Sequence, residues 1–139
     1  MVERSPDNYQ IQLIKFVNTD QGYTEYLIKV VAPGGFSFHF KDRYSSMRNF
    51  QSLIKKSFPV NVFNQLPKFP PKKAFGSKGE DFLQQRSVQL QQFFNSFFQS
   101  KAIMEKQEHI VLDYLMQHAA DEQSRQKIGE YVKYRENKH

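Results

Sequence analysis

The sequence predicts an α+β fold: a three-stranded antiparallel β-meander packed against a helical subdomain, with a proline-rich loop between the first two main helices. Three observations carry this. Period-two apolar runs are confined to residues 9–40, a three- and four-residue apolar spacing replaces them further on, and Pro59, Pro67, Pro70 and Pro71 interrupt the helical region. Residues 9–17 and 23–32 are rich in β-branched and aromatic side chains. They flank a turn sequence, Asn18 to Gly22, and read as two antiparallel strands. A second turn at Pro33-Gly34-Gly35 leads into Phe36, Phe38 and Phe40, which alternate with polar neighbours as a third strand.

Beyond residue 43 the period changes. Tyr44, Met47, Phe50, Leu53 and Ile54 mark one face of an amphipathic helix that ends before Pro59. Residues 57–79 hold four prolines and two glycines, so they cannot continue a helix. Within them Pro67-Lys68-Phe69-Pro70-Pro71 is expected to be stiff and extended. A long helix is predicted over residues 80–99, with Leu83, Leu90, Phe93, Phe94, Phe97 and Phe98 on its apolar stripe. Another is predicted over 103–118 (Ile110, Val111, Tyr114, Leu115), and a more polar one, containing Gly129, over about 121–136. The expected organisation is one domain over residues 1–118 and a C-terminal helical extension over 119–139. That extension can pack on the domain, lead into a following one, or pair with a protein partner.

Composition narrows the function. The 139 residues suit a single modest core, and the absence of cysteine removes disulfides, zinc-thiolate sites and thiol chemistry. No apolar run approaches the roughly 20 residues that span a bilayer, and the first residues lack the apolar stretch of a signal peptide. Membrane contact is therefore expected to be peripheral. The net charge of +6 is unevenly spread: from Lys41 to Arg86 there are ten basic and three acidic residues, so the remainder is close to neutral. A localised basic surface for an anionic partner accounts for this better than a uniformly solvated one.

Within that stretch are the residue types an anionic headgroup needs. Arg43 offers a planar fork for phosphate, and Tyr44 beside it offers a ring. Lys72 and Lys73 follow the prolines, and Arg86 lies in the next helix. Each alone is weak. In order, Arg43-Tyr44-Ser45-Ser46-Met47-Arg48-Asn49-Phe50, then Leu66-Pro67-Lys68-Phe69-Pro70-Pro71-Lys72-Lys73-Ala74-Phe75-Gly76, then Arg86-Ser87-Val88-Gln89-Leu90-Gln91-Gln92-Phe93-Phe94 resemble the phox homology (PX) family. The resemblance runs from about Tyr9 to Leu115, and the proline-rich signature between two helices is its most specific part.

The resemblance implies a phosphoinositide-binding module that brings its owner to endosomal or vesicular membranes from the cytoplasm, with phosphatidylinositol 3-phosphate the favoured ligand. It implies that Arg43 takes the 3-phosphate and that Tyr44 packs under the inositol ring. Lys72 would reach the 1-phosphate, with Lys73 its substitute if the loop register slips by one, and Arg86 would bond the 4- and 5-hydroxyls. Two positions depart from the family pattern: Ser45 stands where strong binders carry a second arginine, and Met47 where phenylalanine is usual. Phe75 either inserts at the acyl boundary or folds back as core, and Lys73 and Lys78 would add attraction to an anionic leaflet.

Catalysis finds no support. His39, His109, His118 and His139 lack metal-ligand spacing, and no Gly-rich phosphate loop or nucleophile motif is present, so neither metal nor cofactor is expected. The alternative reading is a protein-interaction module of the same fold with little lipid binding. Nucleic acid is a poor third partner, because no recognition helix or stacking aromatics stand out.

Overall fold

The computed structural model describes residues 8–72 and 79–138. Strands β1 (Gln10–Asn18), β2 (Thr24–Ala32) and β3 (Phe36–Arg43) form one antiparallel sheet in the order β1-β2-β3. Cross-strand partners set the inner face: Ile11 opposes Val30, Val30 opposes Phe38, and Ile28 opposes Phe40. All of these are buried, as are Tyr26 and Ala32, so the period-two reading holds through the meander. The third strand runs three residues past the predicted end, which places Arg43 at its last position.

Among the described residues five helices follow: α1 (Tyr44–Lys56), α2 (Val60–Phe63), α3 (Glu80–Gln99), α4 (Lys101–Gln117) and α5 (Glu122–Lys138). One expectation needs correcting. Leu53 is 50% exposed, because Met47, Phe50 and Ile54 define the buried stripe of α1 and Leu53 falls outside it. The proline-rich stretch also contains a single helical turn, α2, which starts directly after Pro59. Proline bars a helix from running through it but not from starting behind it, since its fixed φ (here −58°) suits a helix entrance. Ser100 caps α4 by accepting the Ile103 N–H at 3.4 Å, and Asp121 does the same for α5 from Ser124 at 2.7 Å.

The core lies between the inner sheet face and the helices. Phe93, Phe94, Phe97 and Phe98 of α3 fill its middle, with Phe94 edge-on to Phe40 at 5.9 Å. The open edge of β3 is closed by the α4–α5 elbow: Lys41 N–H donates to the His118 carbonyl, and Ala120 N–H to the His39 carbonyl, each at 2.9 Å. From that elbow α5 runs back along β3 and buries Ile128 and Tyr131 in the same core. The Tyr131 ring meets Phe36 at 5.5 Å and Phe38 at 6.4 Å, and its hydroxyl bonds that of Tyr9. Gly34, at φ +90° in the β2–β3 turn, admits this packing, because a Cβ there would stand 2.9 Å from the Tyr134 ring. The C-terminal helix is thus packed on the domain.

Truncation of a fully buried aromatic leaves a cavity the surrounding rings cannot fill. Tyr131→Ala is expected to cost about 3–5 kcal/mol in urea unfolding, while Tyr131→Phe, which loses only the bond to Tyr9, costs about 1 kcal/mol.

Candidate functional site

The site begins at the corner where β3 becomes α1. Asp42 points inward from the strand, in register with Phe38 and Phe40, and is only 6% exposed. One carboxylate oxygen accepts the backbone N–H of Arg43 at 2.8 Å, and the other accepts the Tyr114 hydroxyl at 2.7 Å and faces His118 Nε2 at 3.5 Å. His118 Nδ1 lies 2.9 Å from the Tyr114 carbonyl, which can only accept, so Nδ1 donates there. A satisfied buried network therefore anchors the residue before Arg43 and aims Arg43 outward. Its guanidinium carbon lies 5.1 Å from the ring of Tyr23, at the end of the β1–β2 turn.

Tyr44 opens α1. Its hydroxyl donates to the Pro70 carbonyl at 2.5 Å and its ring meets Phe69 at 5.5 Å, so the proline segment is fastened to the helix start. The same ring carries the guanidinium of Arg86, whose carbon lies 3.7 Å from the centroid; the Phe82 ring approaches that carbon to 4.5 Å. Arg86 is 8% exposed and donates from Nη2 to the Pro71 carbonyl at 3.2 Å. The Tyr26 hydroxyl, at the inner end of β2, faces the same guanidinium.

Arg43, Tyr44 and Arg86 line one cleft of about 180 Å³, together with Tyr23, Tyr26 and Ser45, and no carboxylate lines it. Among the described residues, neither arginine lies within ion-pair distance of an acid. Two guanidinium groups facing one acid-free cavity make a receptor for an anion, with hydroxyl and backbone groups around it. Gly22, at φ 88°, lets the β1–β2 turn form one wall of the cleft. A larger groove of about 590 Å³ lies between α4 and α5, with Leu112, Met116 and Val132 inside and charges of both signs at the rim. It lacks convergent cations and does not suit a phosphate.

Lys72 is exposed one residue beyond Pro71 and is not among the residues lining the cleft. Lys73, Phe75 and Lys78 lie outside the described residues. Sequence reasoning missed Asp42, Tyr23, Phe82 and Tyr26. A carboxylate continuing the Phe38–Phe40 alternation was the available signal for Asp42. Arg86 itself falls on the apolar stripe of α3, between Leu83 and Leu90, which is the mark of a buried charge.

Comparison with known proteins agrees with this architecture. A family model described as "PX domain" matches residues 30–118, more than half of the chain. The chain belongs to the PX domain family. Among solved structures, the PX domain is similar to one described as "X-ray structure of a designed CISK-PX domain", with a TM-score of 0.61 and 20% identity. The match covers 73% of this chain and 95% of that one, and at that identity it speaks for the fold. No curated protein matches. Membership makes the chain, by kind, a phosphoinositide-binding module of peripheral membrane association. Among the described residues no helix is long and apolar enough to cross a membrane.

Two outcomes follow from the network around the cleft. Asp42→Ala leaves the Arg43 N–H and the Tyr114 hydroxyl unmet and is expected to lower stability by about 1.5–3 kcal/mol in urea. Burial, the largest cause in each case, pushes the phenols of Tyr26, Tyr44, Tyr114 and Tyr131 up; the Arg86 charge opposes it at Tyr26 and Tyr44. The folded chain thus keeps these protons to higher pH than the unfolded chain, whose phenols titrate near about 10. Stability is expected to be insensitive to these groups below that pH and to fall as pH rises beyond it. Urea midpoints measured across the alkaline range, beside tyrosinate absorbance, check the sign.

Proposed function

We propose that this PX domain recognises phosphatidylinositol 3-phosphate and thereby recruits its owner from the cytoplasm to endosomal membranes. The observation that carries the reading is the single acid-free cleft shared by Arg43, Tyr44 and Arg86. Arg43, exposed at the rim and fixed through its own backbone, takes the 3-phosphate with its fork. Arg86 lies deeper and meets the ring hydroxyls; extra phosphates at those positions would crowd the aromatic surround of its guanidinium. That favours the 3-phosphate over species also phosphorylated at positions 4 and 5.

Lys72, with Lys73 as its alternate, reaches the 1-phosphate that links the ring to the glycerol. The described chain runs to Lys72, just past Pro71, whose carbonyl accepts from Arg86, and resumes at Gly79, the residue before α3. Phe75 and Lys78 would supply the membrane contact. One headgroup grip, a diffuse basic field and a shallow apolar anchor would act together.

The test is liposome sedimentation with a panel of all phosphoinositides at matched surface charge. Arg43→Ala is expected to weaken binding to vesicles containing phosphatidylinositol 3-phosphate by at least about thirtyfold, the equivalent of roughly 2 kcal/mol, with an unchanged circular dichroism spectrum. Unaltered sedimentation of that variant would remove Arg43 from the site. Equal binding to every vesicle of the same charge would remove the headgroup specificity.

A further inference from the structure

Arg43 has two neighbours that compete for its charge. In the antiparallel register of β2 and β3 it stands directly opposite Glu25. Both side chains point to the outer face of the sheet, since Tyr26 and Asp42 beside them are buried on the inner one. Opposite charges across a strand pair attract each other. Yet among the described residues Arg43 makes no ion pair with Glu25. Its guanidinium carbon lies instead over the ring of Tyr23, 5.1 Å from the centroid.

Tyr23 stands where that choice is made. Tyr23 and Arg43 both line the acid-free cleft, and both also line a neighbouring cavity of about 380 Å³ that includes Glu25, Asp42 and Lys41. The two side chains thus form the partition between a cavity with acids and one without. The turn that carries Tyr23 is held by its own hydrogen bonds. The Tyr23 carbonyl accepts the Thr19 N–H at 2.8 Å and the Thr19 hydroxyl at 3.0 Å, and the Thr24 hydroxyl donates to Asn18 Oδ1 at 2.7 Å. A ring fixed in this way gives a long, exposed arginine one preferred direction, which lowers the ordering cost of binding. Cation–π contact and an exposed ion pair are of similar strength, so removing one sends the side chain to the other.

We infer that Tyr23 is a positioning residue: its ring holds the Arg43 guanidinium toward the cleft and out of an ion pair with Glu25. This deepens the proposed headgroup reading and rests on it. Without the ring, Arg43 turns to Glu25, and an arriving phosphate has to displace a carboxylate. Ser45 supplies no second arginine to take over, so the direction of this one side chain weighs directly on affinity.

The experiment is calorimetric titration of short-chain phosphatidylinositol 3-phosphate, kept monomeric so that no membrane takes part. It is added to wild type, Tyr23→Leu, Tyr23→Phe, Glu25→Gln and the Tyr23→Leu, Glu25→Gln double variant, with Arg43→Ala as reference. Tyr23→Leu, which keeps apolar bulk without a ring face, is expected to bind about fivefold more weakly, and Tyr23→Phe to bind like wild type. Glu25→Gln alone is expected to change affinity less than about twofold, but to restore most of the loss in the Tyr23→Leu background. In the ligand-free protein the Arg43 Nε–H resonance is expected to lie upfield under the Tyr23 ring current, and to move downfield in Tyr23→Leu but not in Tyr23→Phe. A tyrosine that only shapes the turn would lower the urea midpoint of Tyr23→Leu, with nothing restored by Glu25→Gln. Wild-type affinity in Tyr23→Leu, or a loss that Glu25→Gln does not relieve, overturns the inference. If that occurs while Arg43→Ala still abolishes binding, the headgroup reading stands alone; if wild type itself ignores the lipid, both fall.

Discussion

The arrangement depends on the burial of one guanidinium without a carboxylate. Removing a charge from water is costly unless something replaces its hydration, and no acid does so for Arg86 among the described residues. What replaces it is softer: the ring of Tyr44, the ring of Phe82 and the carbonyl of Pro71. Cation–π contact in a desolvated setting contributes about 2 kcal/mol and, unlike an ion pair, leaves the positive charge unneutralised. A paired arginine would hold the fold and bind nothing. This one joins α3 to the start of α1 and to the proline segment while keeping its charge available.

The prolines gain a second meaning in this light. Their stiffness was legible in the sequence, but their carbonyls were not: Pro70 accepts from Tyr44 and Pro71 from Arg86. An extended proline segment makes no internal hydrogen bonds, so its carbonyls stay free for donors elsewhere. The segment is therefore a rigid rail of acceptors, and the two side chains that form the cleft floor are the ones that use it.

Most elements could be read from periodicity because each strand and long helix buries one face: Ile28 and Val30 alternate, and Leu90, Phe93, Phe94 and Phe97 recur at helical steps. The exceptions have local causes. The turn at Val60–Phe63 is too short to show a period, and closure of the β3 edge by His118 and Ala120 is made by backbone groups, which carry no residue signature. For the cleft, residue types were legible and contacts were not. The resemblance implied Tyr44 as a surface for the inositol ring, with no sign in the sequence that the same ring also bears the Arg86 guanidinium. Nothing in the spacing of residues 44 and 86 could distinguish a side chain that stacks on a ligand from one that stacks on another side chain.

The structure also divides the basic run from Lys41 to Arg86 into two populations. Lys55 and Lys56 end α1, where carbonyl groups of the last turn favour cations, and both are exposed; Arg48 is exposed on the same helix. These charges add a field that falls off within about 8–10 Å at physiological salt and draws the domain toward any anionic surface. Arg43 and Arg86 differ in kind, because their positions are set by Asp42, Tyr44, Phe82 and Pro71 and not by solvent. The field is insensitive to which anion it meets, whereas a cleft of fixed shape can discriminate. On the proposed reading, specificity resides in these two arginines, one buried and one anchored through its backbone at the rim. The local excess of charge that was plainest in the sequence governs only how strongly the surface is drawn.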